Sequence, residues 1–108
     1  MTAVLGDELH RLLPRVTTWL DEANGIGGQE ISLRIMKVGE EYGEAVAAWI
    51  GVTGQNPRKG ETHNSGDVAA ELADVVIAAL VAIASLGHDP DSTVASRTAR
   101  LTARLDEP

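Results

Sequence analysis

Lys37-Val38-Gly39-Glu40-Glu41-Tyr42-Gly43-Glu44 sets three carboxylates close together in a segment that is otherwise apolar. A second acidic pair, Glu71 and Asp74, lies inside another apolar stretch. Residues three or four apart on a helix share a face. Glu41 with Glu44, Glu40 with Glu44, and Glu71 with Asp74 all keep that spacing. Two antiparallel helices pack about 8–10 Å axis to axis, so acids projecting from both into the gap would meet at metal-bridging distance. Like charges four residues apart cost roughly a few tenths of a kcal/mol on an exposed helix, and more in a partly dry groove. Such a helix must spread its acids into water, protonate some of them, or bind cations. An all-oxygen donor set selects hard ions, so Mg²⁺ is expected, with Mn²⁺ as the alternative. Mg²⁺ keeps several waters and binds substrate phosphates rather than sitting in an all-protein cage. The competing reading is a solvated acidic face, the usual fate of a lone Glu-x-x-Glu. Two pairs, each in an apolar segment, weigh against it.

Other chemistries find little support. The chain has no cysteine, so disulfides and thiolate chemistry are excluded. No serine sits in a strand–turn–helix elbow, and no Gly-Lys-Ser/Thr phosphate loop is present. A di-iron bundle needs two Glu-x-x-His motifs. The one approximation is Asp7-Glu8-Leu9-His10, near a terminus. His10, His63 and His88 read as surface or loop residues, His63 being the one worth testing.

The elements that must position the acids follow from composition and periodicity. A chain of 108 residues suits one domain with a single core. Apolar residues make up 44% and aromatics only 3%, with no Phe. A core of Ala, Val, Leu and Ile favours close-packed helices over a sheet. So lean a core also favours oligomerisation. The net charge of −7 repels nucleic acid polymers and anionic lipid. A small phosphate-bearing molecule remains compatible if cations mediate the contact. Met1 to Gly6 lacks a basic n-region and a long apolar h-region, so no signal peptide is expected. The longest apolar run, Val75 to Ala84, is shorter than the roughly 20 residues of a membrane span. A cytoplasmic protein without membrane contact is the expectation.

Leu5, Leu9, Leu12, Leu13, Val16, Trp19 and Leu20 predict an amphipathic helix from about residue 4 to 23. Pro14 either kinks it or opens a second helical piece. Asn24-Gly25-Ile26-Gly27-Gly28 ends it. A second helix is predicted from about Gln29 to Ile50. One arc of its wheel carries Ile31, Ile35, Met36, Val38, Tyr42, Val46, Trp49 and Ile50 with Gly39, Gly43 and Ala47, and the other carries Lys37 and the acids. The wide apolar arc predicts neighbours on two sides, the glycines a tight crossing, and Trp49 a core position. Gly51 to Gly66 reads as a long loop, holding the adjacent cations Arg58 and Lys59. A third helix runs from Ser65 or Asp67 to Leu86, capped by Asn64 or Ser65 and apolar nearly all round. Asp89-Pro90 opens a fourth, with Val94, Thr98, Leu101 and Leu105 facing in and Arg97, Arg100 and Arg104 forming a basic stripe. The fold class is all-α, four helices.

With Glu40-Glu41-x-x-Glu44 on one helix and Glu71-x-x-Asp74 on the next, the region from about Ile31 to Leu86 resembles the MazG-like, all-α nucleotide pyrophosphohydrolase superfamily. Lys37 ahead of the first motif and Ala73-Asp74-Val75-Val76 around the second fit its pattern. The resemblance implies a Mg²⁺-dependent cut between the α- and β-phosphates of a nucleoside triphosphate, giving the monophosphate and pyrophosphate. It implies Glu41, Glu44, Glu71 and Asp74 as metal ligands, with Glu40 as a further ligand or the group that orients the attacking water. It also implies a bundle completed as a homodimer or homotetramer. Lys37, Arg58, Lys59, Arg97 and Arg100 are candidates for phosphate or substrate contact; Ala78 stands where family members often carry a further polar residue. Lys37 either binds phosphate or only offsets the carboxylates. Which base is preferred is not readable. Two further readings stay open: a phosphoribosyl-ATP pyrophosphohydrolase, and a catalytically silent metal-binding helical dimer that modulates a partner.

Overall fold

The computed structural model describes residues 5–108. The expected start of the first helix near residue 4, and most of the N-terminal segment read above, lie outside them. Four helices follow in order: α1 (Asp7–Asn24), α2 (Gly28–Thr53), α3 (Ser65–Ser85) and α4 (Pro90–Leu105). No strand occurs among the described residues.

Asp7 and Glu8 occupy the first turn of α1, where the helix dipole favours anions. Pro14 lies inside the helix without dividing it. The carbonyls of Leu13 and Pro14 accept the Thr17 hydroxyl at 3.2 and 3.1 Å. Leu9, Leu13, Val16 and Leu20 face Leu80 and Val81 of α3 and form the core, which Val94 of α4 joins. Leu12 and Trp19 stay on the outside.

α2 and α3 are antiparallel. Arg34, early in α2, donates to Ser85 Oγ at the end of α3 (3.1 Å), and the Thr62 amide donates to the Gly51 carbonyl at the other end (2.9 Å). Their contact runs through Ala45, Ala48 and Gly51, all buried. Small side chains bring the two axes close, and a Cβ at Gly51 would collide with His63 and Thr62. The close approach expected at Gly39 and Gly43 is therefore made elsewhere: both glycines face open space. The wide apolar arc is likewise not the inner face of this chain. Met36, Tyr42 and Val46 are exposed, and Trp49, expected in the core, is 56% exposed.

α2 continues past Ile50 to Thr53 and stops at Gly54, whose φ of 65° suits glycine. The loop expected from residue 51 thus begins at Gly54. Asn64 caps α3 with a reciprocal pair: its Oδ1 accepts the Asp67 amide (3.1 Å), and Asp67 Oδ2 accepts the Asn64 amide (2.9 Å). Asp89 caps α4 by accepting the Ser92 amide at 3.0 Å, with Pro90 next.

Among the described residues, α4 meets the rest of the chain near its start. Buried Asp91 accepts the Leu5 amide (2.9 Å) and pairs with His10. Leu101 and Leu105, expected to face inward, are 54% and 85% exposed. The radius of gyration is 17.0 Å, against about 13 Å for a compact chain of 100 residues. The arrangement is open rather than a closed bundle. By length and composition alone, α3 taken whole is also apolar enough to cross a membrane, although its longest uninterrupted apolar run is shorter.

Candidate active site

The antiparallel register sets Glu41 and Glu44 of α2 across from Glu71 of α3. One carboxylate oxygen from each lies within 4.8 Å of the others. Glu41 is on the buried side, its side chain 15% exposed, because it follows the line of Arg34, Ala45 and Ala48 along α2. Glu71 Oε2 is buried and has no hydrogen-bond partner among the described residues. A buried unpaired carboxylate oxygen is costly, and a hard cation offsets that cost. Three carboxylates converging on one point are the donor set such an ion prefers. On both grounds the residues fit a divalent cation.

The electrostatics show the same crowding. The Glu44 carboxyl is pushed above the usual carboxylate range, first by the Glu41 charge, then by desolvation and by Glu71. Lys37 lies on the same face as Glu41, bonds Glu40, and reaches Glu41 Oε1 at 3.3 Å. Both carboxylates raise its pKa, Glu40 foremost. Lys37 thus sets its cation beside two of the acids, Glu40 and Glu41.

Asp74 stands outside the group of three. It lies one turn beyond Glu71 and, with Glu41 and Lys37, lines a cleft of about 630 Å³ between α1, α2 and α3. That volume is in the range of small-molecule sites, about 300–1,000 Å³. Leu20, Leu33, Ile77 and Val81 supply apolar walls, and Trp19 stands at the side. Ala78, which takes the place of a further polar group, lines the same cleft. Glu40 is exposed, bonded to Lys37, and does not line the cleft. Arg58 and Lys59 are exposed in the loop after α2, and Arg97 and Arg100 on α4; none of the four lines the cleft.

At the far end is a residue that periodicity did not single out. Arg34 is buried at 5% exposure. Its Nε donates to Glu30 Oε2 (2.7 Å), Nη1 to Asp21 Oδ1 (2.8 Å) and Ser85 Oγ (3.1 Å), and Nη2 to the Gly25 carbonyl (3.2 Å). One guanidinium therefore ties α1, the α1–α2 turn, α2 and α3 together. Burial works against its charge, but the bonds to Glu30 and Asp21 outweigh it and hold the proton more tightly. Glu30 is shifted below the usual carboxylate range, by Arg34 first and by Asn24 second. The signal in the sequence was the four-residue Glu30–Arg34 spacing, on the same side of α2 as Glu41 and Ala45.

No family model, no curated protein and no solved structure matches the chain. The geometry of the site stands on its own.

Proposed function

We propose that the protein is a nucleoside triphosphate pyrophosphohydrolase of the MazG-like kind, dependent on Mg²⁺ and splitting its substrate into the monophosphate and pyrophosphate. The observation that carries this reading is the convergence of Glu41, Glu44 and Glu71 around the unpaired Glu71 oxygen, with Glu41 also lining, beside Asp74, a cleft of nucleotide size. Glu41, Glu44 and Glu71 would hold the ion, with Asp74 next to them for a second one or for its waters. When bound, Mg²⁺ offsets phosphate charge and acidifies water.

The chain's own residues do the rest. Water adds to the α-phosphorus, the bond from it to the α–β bridging oxygen breaks, and that oxygen leaves with pyrophosphate. Glu40, held by Lys37 next to Glu41, accepts the proton lost by water. Lys37 holds Glu40 and Glu41 in place and brings a cation to the edge of the cleft for phosphate. The apolar walls take the base and exclude water around it.

The chain acts in this reading as a homodimer or homotetramer. Support comes from the apolar side of α2 left open around Tyr42, Val46 and Trp49, and from the open shape. A second copy suits that face better than a bilayer does. Glu71 and Asp74 lie within α3 and would be drawn into hydrocarbon in a spanning helix, which is expensive. In this reading the protein works in the cytoplasm. Glu41→Ala and Glu71→Ala are expected to abolish Mg²⁺-dependent pyrophosphate release with helix content retained by circular dichroism. Full activity in either variant would overturn the ligand assignment.

A further inference from the structure

The end of the cleft remote from the carboxylate cluster holds polar atoms that the proposed hydrolysis leaves unused. Asn24 and Glu30 both line it, beside Leu20 and Leu33. Every bond made to Glu30 lands on one oxygen: Arg34 Nε and Asn24 Nδ2 both donate to Oε2, at 2.7 and 3.2 Å. Glu30 Oε1 accepts nothing from the described residues, although the side chain is only 14% exposed. The buried guanidinium fixes the carboxylate from behind, so its free oxygen is pre-positioned and not a mobile surface charge. An ionised carboxylate only accepts hydrogen bonds, and the bonds from Arg34 and Asn24 keep this one ionised.

We propose that Glu30, positioned by Arg34 and joined by Asn24, is the base-reading group of the cleft and selects nucleobases that present an exocyclic amino group over those with an oxo group in its place. This rests on the nucleotide reading above and names its substrate class. An amino N–H donates to Glu30 Oε1. A carbonyl oxygen at that position meets a carboxylate with no proton to give, and the two oxygens repel. Leu20, Leu33, Ile77 and Val81 are apolar and cannot separate bases that differ in one polar group. Discrimination therefore falls on the Asn24–Glu30 end. Charge-assisted hydrogen bonds are about twice as strong as neutral ones, so the preference is expected to be about 10-fold or more.

The test uses matched pairs that differ by one amino or oxo group, cytidine against uridine and adenosine against inosine. Their binding to the whole wild-type protein is followed by NMR titration without Mg²⁺. The amino member of each pair is expected to bind about 10-fold tighter or better, with the largest amide shifts around Asn24 to Arg34. Glu30→Gln is expected to narrow the ratio toward one. Because that variant loosens Arg34, the wild-type comparison decides by itself. Equal affinity within both pairs, or shifts that avoid this segment, overturns the base-reading assignment. Pyrophosphate release is measured on the matching triphosphates in parallel. Release with no amino preference sinks the base reading and leaves the hydrolase reading standing. Nucleoside discrimination without pyrophosphate from any triphosphate does the reverse.

Discussion

Glu71 is the residue at which structure and chemistry meet most directly. Its Oε2 is buried and unpaired beside two other carboxylates. Glu71→Gln removes the charge and lets the amide donate to a neighbouring carboxylate. Without Mg²⁺ the variant is expected to be more stable than wild type by roughly 1–3 kcal/mol. Wild type should gain thermal stability on adding Mg²⁺, as any ligand that binds only the folded state requires, and the variant should lose most of that gain. Melting curves with and without Mg²⁺ check both statements, and an unchanged Mg²⁺ response in Glu71→Gln would count against the site. Glu44 gives a pH test of the same crowding. Its folded pKa lies above the ordinary 4.5, so the folded chain binds this proton more tightly than the unfolded chain. The destabilising charge is absent below pH 4.5 and develops as the pH rises through the folded value. Glu44→Gln should therefore match wild type in stability at low pH and exceed it at neutral pH, both without Mg²⁺. Chemical denaturation at the two pH values checks the sign. A variant that is less stable at neutral pH only would contradict it.

Among the elements, α2 is where the sequence was most and least legible. Its existence, its glycine-rich entry and its pairing with α3 follow from periodicity and breaker residues, as do the Asn64 and Asp89 caps. Three- and four-residue spacing, with the two helices packed antiparallel, predicts acids that face one another; Glu41, Glu44 and Glu71 come together, and Asp74 stays outside the group. What periodicity misjudged was the face that turns inward. The larger apolar arc looks like the core by hydrophobicity. Within one chain, however, α3 packs on the side that carries Ala45, Ala48 and Gly51, while Gly39 and Gly43 stay on the open side with the larger apolar residues. The same misjudgement hid Arg34, since a buried arginine is the exception to hydrophobic patterning. Its four partners make it the clip that sets α1 against the α2–α3 pair. Arg34→Met leaves Asp21 and Glu30 without their cation and is expected to cost about 3 kcal/mol. Urea unfolding checks this; a loss within about 0.5 kcal/mol, the range of ordinary surface substitutions, would show that the clip is not needed.

At the scale of the whole molecule, the proposal of a homodimer or homotetramer rests on shape and exposed surface. Its spread of 50 × 49 × 25 Å leaves α4 reaching away from the core, and the apolar side of α2 has no cover among the described residues. In the proposed oligomer these two features are one requirement, because a second copy buries what the first exposes. Light scattering should give a mass of two or four chains. Trp49→Glu sets a charge in the middle of the open face and should shift the population to monomer at micromolar concentration, whereas a wild-type monomer would remove the argument from the open face. The net charge of −7 makes a polymer of nucleic acid a poor partner, and in the proposed function cations accompany the nucleotide to a cleft lined by Glu41 and Asp74. The central claim is the bond that is cut. Nucleoside triphosphates carrying an amino base are incubated with the protein and Mg²⁺, and the products are followed by ³¹P NMR. The account predicts nucleoside monophosphate and pyrophosphate in equal amounts, with neither appearing when Mg²⁺ is chelated. Orthophosphate with nucleoside diphosphate, or no product from any triphosphate offered to the folded protein, would contradict it.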